Sequence, residues 1–170
     1  MPLILACLLY AGAMIAANLS IAAFGPWVSP INSFLLIGLD LTLRDRLHDA
    51  WSGRGLRWKM PILILVSALA TYLLNPAAAQ IAIASALAFG LAAATDGLVY
   101  HRLRTSARWG EYLRRTNGSN AAGAMVDSIA FPTIAFGVLM PHIIAMQFVA
   151  KVAGGFVWSL ILRRAVIEAR

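Results

Sequence analysis

The 170 residues are 61% hydrophobic and only 12% charged, with a mean hydropathy of +0.77. A soluble domain carries about a quarter charged residues, so this composition excludes an ordinary soluble enzyme, a disordered tail and a disulfide scaffold. The lone Cys7 permits no intrachain disulfide, and the net charge of +7 reads as the loop topology of an integral membrane protein rather than as affinity for nucleic acid.

Charge-free stretches at residues 1–39, 60–95 and 128–150, and at 152–162 after Lys151, set the elements. A span needs about 20 mostly apolar residues. The first stretch therefore holds one span and most of a second, separated at Gly25-Pro26-Trp27-Val28-Ser29-Pro30. The next divides at Asn75-Pro76, and the last third at Met140-Pro141-His142. The pattern predicts an all-α polytopic membrane protein, a single domain over 1–170 with six transmembrane helices near 3–23, 30–47, 60–75, 78–99, 119–140 and 142–162. Residues 1–22 lack a basic leader and read as a span, not a signal peptide.

The connections sort by sign. Residues 41–59, 101–115 and 163–170 carry net charges of +3, +4 and +2, whereas the connections near 24–29, 75–77 and 140–142 carry none. In a six-span plan every basic segment lies on one side, which the positive-inside rule makes the cytoplasm. Both termini are then expected there, in a multi-pass protein of the cell (inner) membrane. Trp27, Trp51, Trp58, Trp109 and Trp158 fall near the expected interfaces and read as an aromatic belt.

Asp40, Asp96, Asp127 and Lys151 interrupt the apolar spans. An ionisable group at mid-bilayer costs about 2.5–3.5 kcal/mol even on the lenient insertion scale, so it faces the bundle interior and is a functional candidate. Asp96 falls nearer a cytoplasmic end, within reach of water. A purely structural pair of Lys151 with one aspartate is the plainer alternative. On helix 5, Asn117, Asn120, Ala124 and Asp127 share a face, and Pro132 is expected to kink the helix and free the carbonyl of Ser128. Helix 6 answers with Gln147, Lys151 and Gly154 or Gly155; the glycines equally suit close packing. Helix 2 carries Asn32, Asp40, Arg44 and His48, with Asp40 and Arg44 spaced for an intrahelical pair. Asp45, His48 and Asp49 read as a solvated helix end rather than a metal site. Asn18 suits either an interhelical hydrogen bond or a solute contact. No enzyme signature is present, no cofactor is implied, and the basic loops lack the aromatic interleaving of single-strand binders. A non-enzyme without nucleic acid is expected, with the lipid bilayer as partner and a homo-oligomer left open.

Three stretches resemble a known family. Ser33-Phe34-Leu35-Leu36-Ile37-Gly38-Leu39-Asp40-Leu41-Thr42-Leu43-Arg44-Asp45 resembles the aspartate-bearing second helix of the VUT family, the queuosine-precursor transporters. Ser119-Asn120-Ala121-Ala122-Gly123-Ala124-Met125-Val126-Asp127-Ser128-Ile129-Ala130-Phe131 is similar to its helix-5 pattern, and Gln147 to Lys151 is similar to its helix-6 lysine segment. The resemblance implies import of 7-cyano-7-deazaguanine or a related 7-deazaguanine. The residues suit it: a carboxylate accepts the paired N–H groups of a guanine-like edge, the role expected of Asp127. Asn120 and Asn117 offer further polar contacts, Lys151 balances the charge, and Phe131, Phe148 or Phe34 offer apolar walls. Asp40, Gln147, Ser128 and Asn32 complete the substrate-site candidates, near the bilayer midplane. Two other classes stand beside this one. One is a substrate-capture subunit of a larger vitamin-type transporter, with Ala13 and Ala17 as a docking face. The other is a non-transporting assembly protein with a structural ion pair.

Overall fold

The computed structural model describes residues 1–102 and 109–162, with the side chains of 100, 101 and 109–117 outside the description. Within these limits the chain is helical, without strands. Helix α1, Leu3–Phe24, stops where Gly25 turns to a positive φ of 79° and its N–H bonds to the Ile21 carbonyl. A short 3-10 turn, Pro26–Val28, leads into α2, residues 29–51, which is α-helical over Ser29–Asn32, widens to a π-helix over Ser33–Ile37, and is α-helical again over Gly38–Trp51. Helix α3 is Leu56–Leu74. Asn75 accepts from the Ala77 N–H at 3.1 Å, capping a 3-10 turn that opens α4, Ala79–Arg102. Helix α5 runs unbroken from Trp109 to Phe136 through Pro132, and α6 is Pro141–Ile161 with its proline in the first turn.

Neighbouring helices close a ring in the order α1, α3, α4, α5, α6, α2. The polarity is inverted relative to a soluble bundle. Ile4, Phe24, Leu73 and Val149 stand exposed on the outside, while Asp40, Arg44, Asp96, Asn120 and Lys151 are buried. Water cannot favour that arrangement; hydrocarbon does. Four segments are long and apolar enough to cross a membrane: Leu3–Phe24, Leu56–Leu74, Pro76–Val99 and Pro141–Ile161. The other two helices, α2 and α5, carry Asp40, Arg44 and Asp127.

Several expectations are corrected. Helix α2 continues to Trp51, and every residue from Asp40 to His48 is buried, so Asp45 and His48 do not form a solvated end. No group of His, Cys, Asp or Glu among the described residues could hold a metal ion. Helix α5 begins ten residues before the expected 119, because charge marks where hydrocarbon ends and not where a helix ends. Ala13 and Ala17 are buried inside the bundle, where the Ala17 carbonyl accepts from Asn32; the chain itself covers that face. Trp51 is buried with Lys59 over its ring at 5.9 Å, rather than lying in an exposed belt. The side chain of Trp109 lies outside the described residues.

Glycines let α2 and α6 approach each other backbone to backbone. A Cβ added to Gly38 would sit 2.6 Å from the Gly154 carbonyl carbon, and one added to Gly154 would meet the Phe34 carbonyl oxygen. Only glycine lets the two backbones touch here. Thr42 donates to the Gly155 carbonyl at 3.3 Å, and the Trp158 indole donates to the Leu35 carbonyl at 2.9 Å. Both Phe34 and Leu35 lie in the π segment, where the wider turn turns backbone oxygens toward α6.

Candidate functional site

The ionisable residues converge at the centre of the ring. Asp127 of α5 and Lys151 of α6 form an ion pair at 2.7 Å, both side chains almost fully buried. The ammonium also donates to Ser128 Oγ at 3.1 Å and to Gln147 Oε1 at 2.8 Å, so its three donors are satisfied. One turn separates Gln147 from Lys151, and α5 brings Asp127 and Ser128 as consecutive residues. The expected kink does not break α5, and Ser128 serves the site through its hydroxyl. Asp127 Oδ1 and Gln147 Nε2 remain without partners.

Above this pair lies a small cavity lined from five helices. Asp127 and Lys151 form one wall; Asn18 of α1, Asn32 and Ser33 of α2, Ser85 and Phe89 of α4, and Phe131 of α5 form the others. Its volume is about 20 Å³, room for about one water molecule. Asn32 is anchored by donating to Ser20 Oγ at 2.6 Å and to the Ala17 carbonyl at 3.3 Å. Asn18 donates to Thr71 Oγ1 at 3.4 Å, so it both ties α1 to α3 and lines the cavity. A larger groove, about 690 Å³, runs between α3 and α4 past Met60, Ile64, Gly90 and Ala94, with His48 and Arg57 at one end. Its walls are mostly apolar, and it contains none of the ion-pair residues. The smaller cavity is therefore the candidate site.

A second set of charges lies beyond the pair. Asp40, one turn on from the cavity-lining Ile37, is completely buried, and neither of its oxygens has a partner. The expected Asp40–Arg44 pair is not formed. The Arg44 guanidinium instead lies 5.6 Å over the Phe89 ring, within electrostatic reach of Tyr10, Asp96, Asp127 and Asp40. Asp96 is buried completely, against the expectation of a watered helix end, because Gly123 lets α5 lie directly on it. Asn120 is buried beside Gly155 with both amide atoms unpartnered, and it does not line the cavity. Asn117 belongs to α5, with its side chain outside the described residues. Phe34 and Phe148 do not reach the cavity; Phe131 does.

Sequence reasoning missed Phe89, Ser85 and Tyr10. A signal was present: Ser85, Phe89, Ala92 and Asp96 recur at steps of four, three and four, one face of α4 that ends on the aspartate. Tyr10 has no such polar neighbours, and only the fold places its hydroxyl near Arg44.

A family model described as "putative vitamin uptake transporter" matches residues 4–163. No curated protein and no solved structure matches the chain.

Proposed function

The chain belongs to that family of vitamin uptake transporters, and from this premise we propose that it is a carrier, not a catalyst, importing a 7-deazaguanine base such as 7-cyano-7-deazaguanine across the cell (inner) membrane. The reading takes all six helices as spans of one domain, with both termini in the cytoplasm. The observation that carries it is the buried Asp127–Lys151 pair on the wall of a polar cavity, with Asp127 Oδ1 left free. A carboxylate offers about four lone-pair sites, so Asp127 can keep Lys151 and still accept the ring N–H and exocyclic amine of a guanine-like edge. Lys151 then donates to the ring carbonyl, Asn32 and Gln147 supply further polar contacts, and Phe89 and Phe131 supply flat apolar walls. Ser128 holds the ammonium in place, and Asn120 and Asn117 extend the polar face of α5.

The cavity as it stands is too small for a bicyclic base, so the reading makes this a closed state that opens to load substrate. Thermal-shift binding of 7-cyano-7-deazaguanine to the purified protein tests it, followed by uptake into liposomes containing this chain alone. Asp127→Asn presents a donor to a donor edge and leaves a polar group unpaired, so binding should weaken at least about tenfold. A like-sized base without the exocyclic amine should lose far less. Binding without uptake would favour a capture subunit, and no binding to any of a panel of deazapurines would leave a structural ion pair.

A further inference from the structure

The buried charges around Asp40 do not balance. Among the described residues, Asp40, Asp96 and Asp127 share one electrostatic neighbourhood with Arg44 and Lys151, three carboxylates against two cations. Asp45 and Arg46, next along α2, are of opposite sign and leave the imbalance unchanged. Asp127 is matched by Lys151. Arg44 is held over Phe89 and shared among the carboxylates. Asp40 is left completely buried, with no donor on either oxygen; Asp96 is as deeply buried, but has the Ser119 hydroxyl beside it as well as Arg44. A bare carboxylate in such surroundings is costly, and a neutral carboxylic acid is the inexpensive alternative.

The groups that face Asp40 are Tyr10 from α1, Arg44 from its own helix, and Asp127 from α5, which is itself tied to Lys151 of α6. The buried polar residues of α3 are Ser67 and Thr71, neither of them titratable. Arg44 is the one cation among the groups that face Asp40, and it is already shared with Asp96 and Asp127, so one negative charge stays unbalanced. A neutral heterocycle in the cavity would not balance it either.

We propose that Asp40 is a proton-binding site, and that its proton crosses the membrane together with the substrate. The second clause rests on the transporter reading; the first does not. With the proton bound, the closed bundle carries no excess charge through hydrocarbon. With it released, the cluster is left with an unbalanced anion that favours an open, hydrated state. His48 lies two turns along the same face, at the mouth of the groove between α3 and α4, and gives the proton an exit toward the basic end.

Infrared difference spectroscopy of the purified protein, stepped in pH without substrate, tests the site itself. The wild type should show the carbonyl stretch of a protonated carboxyl group at neutral pH. D40N should lack it, while D45N, D96N and D127N should retain it. If D40N fails to fold, retention in the other three variants carries the assignment. Absence of the band in the wild type, its survival in D40N, or its loss in one of the other variants overturns the proton site. For the coupling, liposomes loaded with a pH dye should acidify inside as 7-cyano-7-deazaguanine enters, and D40N should lose the acidification per substrate moved. Uptake without acidification overturns the coupling and leaves the transporter reading standing. No uptake with the infrared band in place overturns the transporter reading and the coupling with it, and still supports the proton site.

Discussion

Lys151 meets Asp127 Oδ2, Ser128 Oγ and Gln147 Oε1 with a single ammonium. Removing either end of the ion pair strands the other charge in low dielectric, which costs about 3–5 kcal/mol in buried soluble pairs. Asp127→Asn and Lys151→Gln should therefore each lower the melting temperature in detergent. The double variant should melt above the value that adding the two losses gives; simple additivity would show that the contact is energetically idle. This pair was legible in the sequence because each residue stood alone in an apolar helix and needed a partner. The Asp40–Arg44 pair was misread for the opposite reason. A spacing of four makes a pair available, but the long Arg44 side chain answers to what the fold brings within reach, and Phe89 on α4 has no mark in the sequence around Arg44.

At the scale of the element, the crossing of α2 and α6 depends on hydrogen atoms where other residues carry Cβ. Gly38→Ala pushes a methyl group against the Gly154 backbone at 2.6 Å, with no flexible side chain able to yield. Overpacking of this kind costs about 1–3 kcal/mol, so the melting temperature should drop. Gly12→Ala is the control: nothing lies within 4 Å of its Cβ, and helix propensity favours alanine by up to about 1 kcal/mol. Equal losses for both variants would show that the crossing is loose. The glycines of α6 were visible as a small-residue pattern, with their partner unknown. The π segment at Ser33–Ile37 was not visible at all, since its sequence is an ordinary apolar run and the widening follows from what α6 requires of the Leu35 and Phe34 carbonyls.

Across the whole molecule, the two ends differ as the charges imply. Arg46 donates to the Met1 carbonyl, and Lys59 lies over Trp51 and Trp58, which brings the amino terminus and the basic connection together. Trp27 packs against His142 with ring centroids 5.7 Å apart, which joins two uncharged connections elsewhere. In a background lacking Cys7, cysteines placed at residues 28 and 54 should therefore label from opposite faces of the membrane. Labelling of both from one face would end the six-span reading. The helix count was readable from the order of residues, because proline and glycine punctuate the apolar runs. The ring order was not, since the contacts that set it, Gly38 with Gly154 and Gly123 with Asp96, join residues far apart in the chain.

That ring order has a consequence for how the protein is made. The two helices too polar or too interrupted to enter lipid on their own account, α2 and α5, carry Asp40, Arg44 and Asp127, each costing about 2.5–3.5 kcal/mol at mid-bilayer. Their cover arrives late: Lys151 and the glycine surface that seats α2 both belong to α6, the last of the described helices to be synthesised. During translation α2 must wait, shielded by α1 or by the insertion machinery, until more than a hundred further residues have emerged. In nascent chains arrested before Pro141, cysteines placed in α2 should remain open to aqueous thiol reagents, and in chains carried past Ile161 they should be protected.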